Sequence, residues 1–264
     1  MIGGLRGAEK SGETGVLELG PTTPKARFSD PWAGKIVKDG PHVQGMVMAR
    51  LQNAPKVGEM APGLTVTDAL SGKPISLGEL NREKPVVLFF LSYSCSLSHD
   101  SIPPMKDLAD RFGKKANFVL IYIREAHPLG GFHCQPGAEK FMIQSPNTLE
   151  ERSAAALRFA KESQLPFPVL VDSMDDAAAV RWAAWPVRLF VVDQQGKVIF
   201  AGQQGPWFHK PTRTYDPHLE AIPEDMRNLP GYSRESLEEF LERLTNTRPA
   251  SESAPRPEPT RGGE

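Results

Sequence analysis

Two uninterrupted apolar runs, Val86 to Leu91 and Phe118 to Ile123, constrain this chain more than any other feature, with six residues in each. A strand with one wet face alternates apolar and polar side chains, so a run without alternation marks a strand buried on both faces. Strands of that kind belong to parallel sheets covered by helices. Between the two runs, Ile102 to Phe112 can form the crossover helix, with Met105, Leu108 and Phe112 on one side. A membrane helix needs about 20 apolar residues, so neither run is a membrane span.

The punctuation on either side is regular. Leu64 to Thr67, a Ser71-Gly72 turn and Pro74 to Ser76 read as a hairpin, after which Ser76 caps a helical turn over Leu77 to Leu80. The second buried strand starts at Ala116. Thr148 and Glu151 form a capping box for a helix to Ser163, whose apolar stripe is Leu149, Ala156, Phe159 and Ala160. Phe167 to Val171 is a third strand, Asp175 to Ala184 a short helix, and Arg188 to Val192 a fourth strand. Gln194-Gln195-Gly196 turns the chain into Val198 to Ala201, and Ser233 to Leu244 is a last helix behind a Ser233–Ser236 polar cap. This order, β-α-β, α-β, then a hairpin and a helix, is the plan of an α/β, thioredoxin-like three-layer sandwich over residues 58–245. Residues 1–57 form a largely irregular N-terminal extension with one helix-like stretch, His42 to Leu51. Residues 246–264 carry four prolines and no aromatic or large aliphatic residue, as expected of a disordered tail.

The 264 residues are 39% apolar and 24% charged, enough for a core, and the net charge of −1 offers no attraction to nucleic acid or an acidic membrane. The N-terminus lacks an apolar signal segment, so the expected location is cytoplasmic and soluble. Two cysteines, Cys95 and Cys134, exclude a disulfide scaffold. His127, His133 and Cys134 lack a fourth ligand at metal-binding spacing, so no metal is expected.

Chemistry collects where the buried strands end. Cys95 follows the first strand by four residues, at a strand-to-helix turn, where helix N–H groups and the helix dipole stabilise a thiolate. A small buried cysteine is the alternative, and the turn position favours the reactive one. Ser96, Leu97 and Ser98 follow, so there is no Cys-x-x-Cys dithiol. The second strand runs into Glu125 and His127, which a parallel crossover brings to the same sheet edge as Cys95, as proton carriers or as an ordinary loop pair. Pro186 precedes the fourth strand; a cis bond there exposes backbone for substrate pairing. Arg188, inside that strand, needs a partner: a substrate carboxylate, Glu125, or water at the strand end. Trp207, with Phe208 and His209, forms an aromatic loop that packs or lines a ligand pocket. Cys134 lies in a long segment between Arg124 and Asn147 and is a resolving thiol for an oxidised Cys95, or incidental.

Several segments together resemble the iodothyronine deiodinases, over about Gly58 to Leu219. Phe118 to His127 is similar to that family's strand ending in Glu-Ala-His, and Leu149-Glu-Glu-Arg152, Val171-Asp-Ser-Met174, Pro186-Val-Arg-Leu189 and Gly205-Pro-Trp207 follow in order. Cys95 stands where the family has selenocysteine. The resemblance implies a thiol oxidoreductase in which Cys95 is the nucleophile and Tyr122, Glu125 and His127 handle protons. It also implies that Arg188 binds a phenolic or carboxylate-bearing substrate, with Phe132 at the place of a family tryptophan. It implies no bound cofactor, an external thiol reductant of the thioredoxin or glutathione type, a small-molecule substrate, and leaves a homodimer open. The departures are Ser96-Leu97 for the family's prolines, Pro146 for a histidine, and no N-terminal membrane anchor in view. A peroxiredoxin-like peroxide reductase is the nearest rival, with Ser92 three residues before Cys95 but Leu88 where a proline is expected; a non-catalytic binding module is the other.

Overall fold

A computed structural model of the chain describes residues 34–36, 52–131, 138–202 and 230–246. The helix-like stretch at His42, Phe132, Cys134, Trp207 and the tail beyond Asn246 lie outside the described residues.

The first hairpin pairs β1 (Thr65–Asp68) with β2 (Pro74–Ser76), closed by Gly72 at φ +70°, a left-handed conformation that glycine takes without strain. Ser76 then caps α1 (Leu77–Leu80) in a capping box with Glu79. Next come β3 (Val86–Leu91), α2 (Ser96–Phe112), β4 (Asn117–Tyr122), α3 (Leu149–Ser163) and β5 (Val169–Val171). They are followed by α4 (Ala177–Arg181), β6 (Arg188–Val192), β7 (Val198–Ala201) and α5 (Leu237–Asn246). The strands form one sheet in the order β2-β1-β5-β4-β3-β6-β7. β3, β4 and β5 are parallel, whereas β1, β6 and β7 run antiparallel to their neighbours.

Every residue of β3 is buried, as its unbroken apolar run requires. Register shows how its two faces are covered. Leu88 lies opposite Phe190, and Phe90 shares that face; Trp182, just past α4, packs on Phe90 and Phe190 with ring centroids 5.6 and 5.0 Å away. On the other face Tyr122, opposite Leu91, meets Phe159 of α3, and Phe200 meets Phe240 of α5. Arg111 ties α2 to α5 through Glu238 and Glu242. The sheet is therefore the middle of three layers, and the fold is the expected thioredoxin-like sandwich. No helix among the described residues is long and apolar enough to cross a membrane.

Several boundaries differ from expectation. Helix α2 begins at Ser96, not Ile102, and runs through Pro103 and Pro104. Prolines are usually tolerated in a first turn because they lack the N–H donor. Here the buried face of Ser98, Ile102, Met105, Leu108 and Phe112 holds the helix together across them. Helix α4 is cut to five residues, because Asp176 before it and Ala183 after it adopt positive φ (59° and 47°). The third strand is shortened to Val169–Val171. At α5 the cap is Ser236, bonded reciprocally with Glu239, while Ser233 extends the edge of β7 by accepting the Ala201 N–H on Oγ. At α3, Thr148 accepts the Glu151 N–H, but Glu151 reaches back to the Asn147 N–H, one residue beyond the expected box.

Candidate functional site

Two chain segments leave the same sheet edge side by side. Ile123 N–H still donates to Leu91 O at 3.0 Å, so the β3–β4 ladder persists to the point where both strands turn off. From β3 the chain passes Ser92, Tyr93 and Ser94 to Cys95, which is the N-cap of α2 and 2% exposed. From β4 it passes Arg124, Glu125 and Ala126 to His127, all buried.

Serine hydroxyls staple these segments together. Ser92 Oγ accepts the Ala126 N–H at 3.2 Å, and Ser94 Oγ accepts the His127 N–H at 2.9 Å. In return, the Glu125 carboxylate accepts the Ser94 N–H at 2.8 Å on Oε2 and the Tyr122 hydroxyl on Oε1. The Tyr122 oxygen accepts the Tyr93 N–H at 3.2 Å. One carboxylate–phenol pair thus fixes the two peptide groups that precede Cys95. Burial pushes the Glu125 carboxyl up, against the hydrogen bonds from Ser94 and Tyr122 that favour its charge. Burial, and then the neighbouring Glu125 charge, push the Tyr122 phenol well up, so it stays a donor.

Cys95 sits at the positive end of a 17-residue helix whose first turn holds no acidic residue, so nothing there offsets the dipole. Its carbonyl accepts the Ser98 N–H at 3.0 Å and starts the helix. The Tyr93 ring is buried against His99 and Phe159, and its hydroxyl donates to Glu162 at 2.6 Å and accepts from Arg158 at 3.0 Å. His99 lies one turn beyond Cys95. Its Nε2 is 2.7 Å from Tyr93 O, and because a carbonyl only accepts, that nitrogen carries the proton. Burial lowers the His99 pKa, which favours the neutral ring stacked on Phe141.

The fourth-strand residues divide. The Trp185-Pro186 bond is cis, and Trp185 Nε1 donates to Glu125 O at 3.4 Å, which brings this turn against the Glu125 segment. Arg188, opposite Phe90 at the start of β6, is buried, does not reach the surface at the strand end, and makes no bond to Glu125 among the described residues. Its Nη1 donates to the Tyr232 hydroxyl at 3.0 Å instead, because the chain before α5 brings that phenol over the strand end. Its Nε and Nη2 have no hydrogen-bond partner among the described residues. The role of Ser94 was not visible in the sequence; its only trace is a Ser-x-Ser-Cys run at a strand end.

The family model described as iodothyronine deiodinase matches residues 41–217. The chain is 34% identical over 163 residues to the type I iodothyronine deiodinase of Xenopus laevis, covering 61% of this chain and 62% of that protein. It is 30% identical over 165 residues to the type II iodothyronine deiodinase of Aquarana catesbeiana, covering 58% and 62%. The matched stretch therefore spans about three-fifths of the length of these relatives. A solved structure of an uncharacterized conserved protein from Geobacillus kaustophilus is 19% identical, covering 70% of this chain and 89% of that one, with a TM-score of 0.47. With a family match across two-thirds of its residues, and with the Glu-Ala-His segment stapled beside a strand-end cysteine, this chain belongs to the iodothyronine deiodinase family.

Proposed function

We propose that this chain is a thiol-dependent oxidoreductase that removes iodine reductively from an iodinated aromatic ring, with Cys95 as nucleophile. The Cys95 thiolate forms a sulfur–iodine bond as the carbon–iodine bond breaks. The ring carbon keeps the electron pair and takes a proton delivered through His127, with the Tyr122–Glu125 pair as the proton reserve behind it. One external thiol then displaces iodide from sulfur to form a mixed disulfide. A second thiol frees Cys95, so the two electrons come from the two thiols. A reductant of the thioredoxin or glutathione type fits that demand, and no bound cofactor enters the cycle. Arg188, with two guanidinium nitrogens lacking partners among the described residues, is the group proposed to meet the phenolate or carboxylate of the substrate.

The observation that carries the reading is the web joining Ser94, Glu125, Tyr122 and the His127 backbone around the turn that ends in Cys95. A binding module has no need to hold a buried carboxylate against the peptide next to a cysteine. The test is iodide release from iodinated phenols with dithiothreitol, beside peroxide consumption by the same sample. Iodide release abolished by Cys95→Ser and slowed by His127→Ala, with both variants folded, is expected. Peroxide turnover without iodide release would move the function to peroxide reduction, and activity unchanged in Cys95→Ser would end the nucleophile assignment.

A further inference from the structure

Behind the Glu125 segment, on the side of α3, lies a second concentration of charge. Asp176 is fully buried and joins two buried arginines, accepting from Arg124 Nη1 at 3.0 Å and from Arg152 Nη1 at 2.9 Å. It also accepts the Gly34 N–H at 2.7 Å. Arg152 Nη1 is shared further with the carbonyls of Ser173 and Asp172, at 2.7 and 3.3 Å. Beside this cluster is a cavity of about 230 Å³ lined by Lys35, Arg124, Arg152 and Asn147, the last next to the N-cap of α3.

We propose that this cavity binds an oxyanion, a carboxylate or an inorganic anion of sulfate size, held by Arg124, Arg152 and Lys35. Charge decides the sign of the ligand. The cavity lining carries three cationic side chains, Lys35, Arg124 and Arg152, and no acidic one; the carboxyls of Asp172, Asp176 and Glu125 lie behind it. Asp172 is moreover turned away, accepting from the N–H groups of Ser173, Ala178 and Ala179 at 2.8, 2.9 and 2.8 Å. Arg152 is 3% exposed, and its Nε finds no hydrogen-bond partner among the described residues. A guanidinium buried with part of its fork unsatisfied is costly, and an acceptor oxygen relieves that cost.

Size decides what kind of anion. At about 30 Å³ per water, the space equals roughly eight waters, below the ~300 Å³ at which pockets for drug-sized ligands begin. It takes an ionic end group with a few waters, not an aromatic ring system. Two planar forks favour oxyanions over spherical halides, because parallel N–H groups match paired oxygens. Occupancy would be felt at the reaction centre, since Arg124 adjoins Glu125 and its guanidinium lies 5.0 Å from the Trp185 ring centroid.

Thermal unfolding of the full chain, titrated with sodium sulfate against sodium chloride at constant ionic strength, tests the site without any catalytic readout. A saturable rise in Tm with sulfate alone is expected. Lys35→Glu, a substitution at an exposed position, should raise the half-saturating sulfate concentration at least tenfold, while Lys114→Glu at the far end of α2 should not. An identical response to both salts, or an unchanged midpoint in Lys35→Glu, overturns the proposal. Where iodide release is measurable, sulfate competing only against iodophenols that bear a carboxylate identifies the substrate's acid end as the occupant. Absence of competition identifies a free oxyanion. A chain that releases no iodide leaves the binding result intact.

Discussion

Tyr122→Phe removes a single oxygen, and that oxygen serves two buried partners. It donates to Glu125 and accepts from Tyr93 N–H. The ring stays and keeps its contact with Phe159, so no cavity opens. Loss of a hydrogen bond to a charged group costs about 1.5–3 kcal/mol, and a buried N–H left unsatisfied costs about 1–3 kcal/mol. One hydroxyl supplies both, so the two losses overlap, and about 3–4 kcal/mol is expected at pH 8. For a chain of this size that lowers Tm by roughly 10 °C. The loss should depend on pH in a definite direction. Glu125 has a folded pKa above its unfolded value, so its ionisation costs stability as pH rises from the unfolded value through the folded one. Without the Tyr122 donor that folded value climbs further, because the charged carboxylate loses a hydrogen bond that favours it. The variant should therefore lose less at pH 4 than at pH 8, because with the carboxyl protonated the main remaining cost is the unsatisfied Tyr93 N–H, about 1–3 kcal/mol. Urea unfolding at pH 4, 6 and 8 measures this, and the acid limb of iodide release should move upward in parallel. A loss under 1 kcal/mol that is the same at every pH would refute the reasoning.

Three further outcomes are expected. Burial raises the Asp172 pKa from 3.8 to about 6, so its ionisation withdraws about 3 kcal/mol from the fold as pH rises through that interval; Asp172→Asn should gain that much on the parent between pH 4 and 8 in urea melts, and a pH-independent difference counts against it. Ser94→Ala leaves the buried His127 N–H without its acceptor; stability should fall by about 1–2 kcal/mol and iodide release by roughly tenfold or more, and a variant with parental kinetics would show that the staple does not position His127. Thr148→Ala removes the acceptor for the Glu151 N–H at the start of α3 and should cost about 1 kcal/mol in chemical denaturation, with no change in KM.

The strands were legible because the runs of β3, β4, β5 and β6 are followed by Ser92, Arg124, Asp172 and Asp193, polar residues that need a partner when buried. Observed β6 and β7 coincide with Arg188 to Val192 and Val198 to Ala201, and β3 and β4 shift by no more than a residue at each end. The start of α2 was not legible, since Ser96 to Ser101 has no apolar period and a proline pair looks like a helix beginning. The shortened α4 depends on the positive φ of Asp176, which is held there by Arg124 and Arg152 from two other elements. For the candidate site, strand ends alone bring Cys95, Glu125 and His127 to one edge. What binds them is tertiary: Ser94 meets His127 33 positions away, and Arg188 meets Tyr232 44 positions away. No periodicity encodes contacts of that range.

The proline pair in α2 leaves its mark on motion. Pro103 and Pro104 cannot donate to the carbonyls of His99 and Asp100, so two successive rungs of the backbone ladder are missing between the Cys95 turn and the Met105–Phe112 half. The dipole effect on the thiol acts within the first turn, so the gap takes little from the nucleophile proposed there. Cooperativity, however, is interrupted. Residues 96–102 have local ties of their own, through Ser98, the His99–Tyr93 bond and the Ser101 hydroxyl on Leu97 O, beside the buried face they share with the rest of the helix. With two rungs fewer, that turn is expected to open at a lower free energy than the core half. In amide exchange it would appear as a fast-exchanging segment joined to a slow one. Such opening would let a thiol that is 2% exposed at rest meet the proposed iodinated substrate without global unfolding.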